Sequence, residues 1–149
     1  MNATLRWIAI GLLSGTVLAV ALKIPQLLWD IPAYNLLFDV SYIPIANAVR
    51  PEWIPRSIFH FTTCICSLAI LYQLLHLIDK AHDLLWYTLV IGLGSTALYF
   101  LTLLGHNTPQ ITDTASWIWW TLGHVLFSIT GWYLIGQWFP APRDSRPHR

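Results

Sequence analysis

The sequence predicts an all-α fold, an integral membrane four-helix bundle with up-and-down topology and an amphipathic outer loop between helices 1 and 2. Of the 149 residues, 56% are hydrophobic and only 10% are charged, whereas soluble domains carry about 25% charged residues. Four nearly charge-free stretches are long enough to cross the hydrocarbon core, which takes about 20 residues. These spans are expected to be helices, because a lone strand in lipid would leave its backbone groups unpaired.

Charged residues delimit the four spans, which are expected over about 7–29, 57–78, 84–105 and 115–139. Tryptophans fall near the ends of these spans, where the interfacial belt favours them. They are Trp7, Trp29, Trp53, Trp86, Trp117 and Trp138. The pattern predicts one polytopic membrane domain over residues 1–149, which ends in a short basic cytosolic tail at 140–149.

The distribution of basic residues predicts the orientation of the chain. Those on the side of the N-terminus are Arg6, Lys80, Arg143, Arg146 and Arg149. Those on the opposite side are Lys23, Arg50 and Arg56. Because cytoplasmic loops carry the excess of Lys and Arg, both termini are expected in the cytoplasm. The small size suggests a bacterial inner membrane.

The N-terminus has an alternative interpretation. Arg6, the apolar run that follows it and the small residues Ala19 to Ala21 also resemble a cleavable signal peptide. Cleavage would leave three spans.

The connection from Asp30 to Arg56 is long and unusually apolar for a loop. Its prolines prevent one continuous helix: Pro32, Pro44, Pro51 and Pro55. An apolar segment of this kind is expected to form a lipid-facing rim at the outer interface or to tuck against the bundle. The alternative is a docking surface or a cap over a pocket.

The end of the second span carries a candidate metal site. On a helix that continued past His76, Asp79 and Asp83 would share its face, with His82 as a neighbouring position. Imidazole and carboxylate together suit first-row transition metals. His76, Asp79 and His82 are therefore candidate ligands. The alternative is a polar helix end that lies among the headgroups.

Three other histidines form a candidate haem site. A b-type haem needs axial ligands on facing helices at similar depth. His60 lies near the outer end of the second span and His106 at the outer end of the third, so this pair is the first choice. His124, deeper in the fourth span, is the other candidate. The alternative is that His60 and His106 are interfacial and that His124 bonds a neighbouring helix.

Ser95 in the third span raises the possibility of an intramembrane nucleophile with His124 as its base. Such a serine needs the base within hydrogen-bond reach. The small residues around Ser95, Gly92 and Gly94, more readily allow close helix packing.

These observations favour a non-enzymatic accessory or partner-binding subunit of a membrane complex, with other membrane subunits and the lipid bilayer as partners and residues 31–55 as docking surface. No cofactor is expected in that case. The first alternative is a haem- or metal-binding subunit, and the second is a small oligomeric transporter or pore. A net charge of +1 without a basic patch argues against nucleic acid as a partner.

Overall fold

The structure is a computed structural model that describes residues 2–40, 43, 51–103 and 109–140. These residues form helices and no strands: α1 (Ala3–Trp29), α2 (Ala33–Leu37), α3 (Trp53–His76), α4 (Leu84–Leu103) and α5 (Thr114–Trp138). By length and composition α1, α3, α4 and α5 are able to cross a membrane, which confirms the prediction of four long apolar helices. The predicted basic tail and His106 lie outside the described residues.

Short polar side chains begin three of the long helices. Asn2 accepts a hydrogen bond from the Leu5 N–H at 2.9 Å, and Asp113 accepts one from the Ser116 N–H at 3.1 Å. Asp83 accepts from the Leu85 N–H at 3.0 Å. Each pairs one of the amide groups that a helix leaves free in its first turn.

α3 ends at His76, two residues before the end of the second span predicted from the sequence, and it does not continue through Asp79 and Asp83. The Lys80 N–H donates to the Leu75 carbonyl at 2.8 Å and the Asp79 N–H donates to the His76 carbonyl at 3.3 Å. These bonds form a Schellman motif around Asp79, whose φ is 56°. Asp is one of the few residues other than Gly that enter this left-handed conformation readily. Because the chain turns here, residues 76–83 share no helical face.

Glycines set the distances between the long helices. α1 packs against both α3 and α5, and α5 packs against α4. A Cβ atom on Gly11 of α1 would lie 2.7 Å from the Ile65 Cα of α3. A Cβ atom on Gly92 of α4 would lie 3.3 Å from the Val125 Cα of α5. Small residues of this kind let membrane helices approach closely.

α4 is irregular along its length. Its residues Thr88–Leu93 form a π-helical segment and Tyr99–Leu103 form a 3₁₀ segment. Such departures from α-helical geometry change which carbonyl groups are paired, and π segments are frequent at functional sites.

Within residues 33–40 of the long loop most side chains are buried or half-buried, where a lipid-facing rim was one expectation. Ala33, Leu36 and Val40 are all buried, and α2 packs against α1, α5 and the last segment of α4. The chain reaches this position because α1 ends in a turn at Asp30, whose φ is 54°. Over residues 33–40 the loop therefore covers one end of the helices.

We expect Gly11→Ala to destabilise the protein by about 1–3 kcal/mol, because the added methyl group overpacks the contact between α1 and α3. The free energy of unfolding in mixed detergent micelles measures this change. Gly136→Ala is the matched control, because a Cβ atom there has nothing within 4 Å and alanine favours the helix by about 1 kcal/mol. Equal stability changes in the two variants would contradict the close contact.

Candidate functional site

An apolar cavity of about 570 Å³ lies between α3 and α4. α3 lines it from Phe59 to Leu74 and α4 lines it from Val90 to Leu101, with further residues from α1, α2 and α5. Ile70 of α3 and Leu98 of α4, which both line the cavity, are 59% and 50% exposed. The cavity is therefore open between the two helices, on the outer surface of the bundle.

His60 of α3 lines this cavity and is only 3% exposed. Its Nε2 lies 3.1 Å from the Gly15 carbonyl oxygen of α1. A carbonyl oxygen only accepts hydrogen bonds, so Nε2 carries the hydrogen. The Cys64 Sγ lies 3.9 Å from Nδ1 and 3.8 Å from Nε2, so the thiol packs against the ring and is directed at neither nitrogen alone. The bond that fixes the His60 ring is therefore the one to Gly15.

His124 of α5 lines the same cavity and is 8% exposed. Its Nδ1 donates to the Trp120 carbonyl one turn earlier, at 2.8 Å. Within the described residues its Nε2 has no hydrogen-bond partner. At 1.5 Å per residue, His124 lies roughly 15 Å from the start of α5 and His60 roughly 10 Å from the start of α3.

Trp120 links α5 to α4 at the edge of the cavity. Its Nε1–H donates to the Ser95 carbonyl at 2.8 Å. This carbonyl is available because the Tyr99 N–H is directed to Thr96 and Ala97, where α4 tightens into its 3₁₀ segment. The irregular end of α4 thus creates the acceptor that holds the indole in place.

The Ser95 hydroxyl is not arranged as a nucleophile. Ser95 and His124 both line the cavity, but the Ser95 Oγ–H donates to the Gly92 carbonyl at 2.8 Å. In the described chain no hydrogen bond joins Ser95 to His124, so the pair that the sequence suggested is not assembled as an activated serine.

The candidate haem ligands are brought together in part. His60 and His124 share one cavity, whereas His106 lies outside the described residues. Two axial bonds to iron need a free nitrogen lone pair from each histidine. His124 offers one on Nε2, and in His60 only Nδ1 remains, because Nε2 donates to the Gly15 carbonyl. The haem assignment stays a prediction.

His76 and His82 are held by aromatic contacts. The His76 ring stacks on Tyr72 with centroids 5.9 Å apart, and the His82 ring meets the same tyrosine edge-on at 6.2 Å. Among residues 2–40, 43, 51–103 and 109–140, no three His, Cys, Asp or Glu side chains converge as a metal site. His76, Asp79 and His82 stay a predicted site without an assembled ligand set.

The sequence reading missed the cavity and the part that Trp120 plays in it. A signal for one wall was present, because His60, Thr63, Cys64 and Ser67 recur at helical spacing within an apolar span. Trp120 and His124 are likewise one turn apart. What the spacing does not give is which helix each polar stripe faces.

Comparison of the chain with models of protein families, with curated proteins and with solved structures finds no significant match.

We expect Trp120→Phe to lower the free energy of unfolding by about 0.6 kcal/mol, the average for hydrogen bonds between membrane helices, and by at most about 1.7 kcal/mol, because the Ser95 carbonyl loses its donor. Unfolding in mixed micelles measures the change. Trp117→Phe is the control on the same helix, because the Trp117 indole makes no hydrogen bond within the described chain. A Trp120→Phe variant as stable as Trp117→Phe would show that the indole bond is absent.

Proposed function

We propose that this protein is a non-enzymatic accessory subunit of a membrane complex that binds an apolar small molecule from the bilayer. The observation that carries the proposal is the cavity between α3 and α4, whose volume of about 570 Å³ falls within the range of about 300–1,000 Å³ typical of ligand sites. Its lining extends from Phe59 to Leu74 and from Val90 to Leu101, along two helices that are able to cross a membrane, so an apolar molecule dissolved in lipid would enter between them.

The energetics of packing support a bound molecule. Protein interiors are close-packed, with few voids larger than a water molecule. Residues that line a void lose dispersion contacts that they would make in a filled site. An apolar molecule that entered between Ile70 and Leu98 would restore those contacts. It would also cover apolar side chains on both helices.

A binding role rather than catalysis is supported by the state of the hydroxyl groups. Ser95 and Thr63 both donate to carbonyl groups of their own helices, at 2.8 Å in each case. Over the described ranges no serine or threonine that lines the cavity is hydrogen-bonded to a histidine. The proposal therefore assigns the cavity no reaction.

The alternative occupant is a b-type haem, because His60 and His124 line the same cavity. The porphyrin ring of a haem carries two propionate groups, which need cationic or polar partners. Among the described residues that line the cavity there is no Lys or Arg. An absorption spectrum of protein purified from cells supplied with haem decides between these occupants. A stoichiometric Soret band lost in His124→Ala would replace the apolar ligand with haem.

We also propose that the four helices run up and down, with both termini in the cytoplasm of a bacterial inner membrane and with other membrane subunits as partners. Arg6, at the start of α1, donates to the Trp138 carbonyl at the end of α5 at 2.6 Å. The two ends therefore lie side by side, which supports an even number of crossings. Lys80, in the turn before α4, would then lie on the cytoplasmic side with Arg6, in agreement with the excess of basic residues expected there.

We expect a photoreactive dodecyl methyl ether, which carries a diazirine, to label peptides of α3 and α4 saturably in lipid nanodiscs. Gly94→Leu should raise the probe concentration that gives half-maximal labelling about tenfold, because the new side chain fills part of the cavity and displacing it costs of the order of 1–3 kcal/mol. Gly94 lines the cavity and a Cβ atom there meets only the Leu89 carbonyl, at 3.9 Å.

Gly136→Leu is the matched control, because Gly136 is equally unobstructed and lies outside the lining. It should leave the labelling unchanged. Labelling that does not saturate, or that Gly94→Leu and Gly136→Leu affect alike, would refute a specific apolar site.

The orientation predicts opposite accessibility for two introduced cysteines. In a Cys64→Ala, Cys66→Ala background, Gln110→Cys should react with a membrane-impermeant maleimide on spheroplasts. Lys80→Cys should react only after the membrane is broken, because it would face the cytoplasm. The reverse pattern would invert the topology.

A further inference from the structure

We infer that the molecule in the cavity is a neutral lipid-soluble compound with a hydroxyl group, of the phenol, hydroquinone or long-chain alcohol class, whose O–H donates to Nε2 of His124. This inference rests on the proposed function and names the chemistry of its ligand. Nε2 of His124 is a nitrogen of the cavity wall to which no group of the described residues is hydrogen-bonded.

The hydrogen bond to Trp120 fixes the tautomer of His124. Charging a buried imidazole in an apolar site is costly, and no acidic side chain stands among the described lining residues. The ring is therefore neutral, with one nitrogen as donor and the other as acceptor. Because Nδ1 donates to the Trp120 carbonyl at 2.8 Å, Nε2 holds the lone pair.

Nε2 of His124 is accessible from the cavity. The residue is only 8% exposed. Its Nε2 has no hydrogen-bond partner in the described chain, but this atom is not fully enclosed. Of the surfaces around His124, the cavity is the one that it lines. The nitrogen is thus an acceptor that a bound molecule is able to reach and that no side chain of the described protein uses.

The remaining N–H and O–H groups of the described wall already donate to carbonyl groups of the protein. The hydroxyls of Thr63, Ser67 and Ser95 donate to carbonyls of their own helices. The Trp120 indole donates to Ser95 and the His60 imidazole donates to Gly15. Acceptors are therefore what the wall offers a ligand, and unused N–H or O–H donors are missing from its described residues.

This asymmetry selects among apolar molecules. A ketone, ester or quinone presents only acceptors, so it would gain no hydrogen bond from Nε2 of His124 when it leaves the lipid for the cavity. A carboxylate would bury a negative charge without Lys or Arg in the described lining. A hydroxyl donates its hydrogen to Nε2, and burying its neutral oxygen costs less than burying a carboxylate. The class that fits is a neutral alcohol or phenol.

The shape of the cavity places the rest of such a molecule. His124 lies on α5, behind the space between α3 and α4, while the exposed side chains at the opening are apolar: Ile70, Leu74, Val90 and Leu98. A hydroxyl at His124 leaves a hydrocarbon chain directed along this opening into the lipid. Burial of that chain supplies affinity, and the hydroxyl supplies selectivity.

A matched pair of ligands tests this inference on the wild-type protein. The probes are 4-dodecylphenol and 4-dodecylanisole, which differ only in the methyl group that removes the O–H donor. Each competes with the photoreactive ether for labelling of α3 and α4 in nanodiscs of the full chain. We expect the phenol to compete about three- to tenfold more strongly than the anisole, after correction for partition into lipid, as one net hydrogen bond predicts.

His124→Phe removes the acceptor and keeps an aromatic ring of similar size, so the phenol and the anisole should then compete equally. His76→Phe is the control, since His76 contacts Tyr72 and lies outside the lining, and should retain the preference. If His124→Phe does not fold, the preference of the wild-type protein for the phenol still decides the question.

The outcomes separate the inference from the function on which it rests. Saturable competition by both probes without a preference would overturn the hydroxyl assignment and leave the apolar site intact. Failure of both probes to compete would overturn the proposed function itself. A cavity that is found filled by stoichiometric haem would overturn both.

Discussion

The close contact between α1 and α3 is the constraint on which the rest of the structure depends. Gly11 and Gly15 allow the backbone of α1 to lie against Ile65 and Cys64. At this distance the Gly15 carbonyl is able to accept a hydrogen bond from His60, so the same approach that joins the helices also satisfies a buried imidazole. α5 packs against another side of α1, and α4 packs against α5. α3 and α4 are then left facing each other across the cavity.

The cavity lowers the stability of the bundle, because its lining residues lack packing partners, and hydrogen bonds between the helices around it offset part of this loss. Lipid-solvated helices gain little hydrophobic driving force from packing on one another, so the contacts that hold the walls apart have to come from close packing and hydrogen bonds. The hydrogen bond from the Trp120 indole to the Ser95 carbonyl is one such contact between α5 and α4. It depends on the 3₁₀ segment of α4, which frees that carbonyl. An irregular helix thus contributes directly to the shape of the proposed ligand site.

The two histidines of the cavity differ through their second nitrogens. His60 and His124 each donate to a backbone carbonyl, but His60 comes from α3 and reaches across to α1, whereas His124 bonds within α5. The Cys64 thiol packs against the His60 ring, whereas Nε2 of His124 has no hydrogen-bond partner among the described residues and borders the cavity. One imidazole therefore stabilises a helix contact while the other stays available for a ligand. His76 is different again, because the Tyr72 ring packs against it in a stacked arrangement.

The sequence by itself determined the features that rest on local composition: the four apolar helices, the start of the third after Asp83, and the histidines as the polar groups of interest. It did not determine how the chain turns after His76, because a left-handed Asp79 gives no signal in composition. It also did not determine that α2 is buried. The convergence of His60 and His124 on one cavity was decided only by the tertiary structure. The physical reason is that helical spacing fixes which residues share a face, while close packing through glycines on distant helices fixes what that face meets.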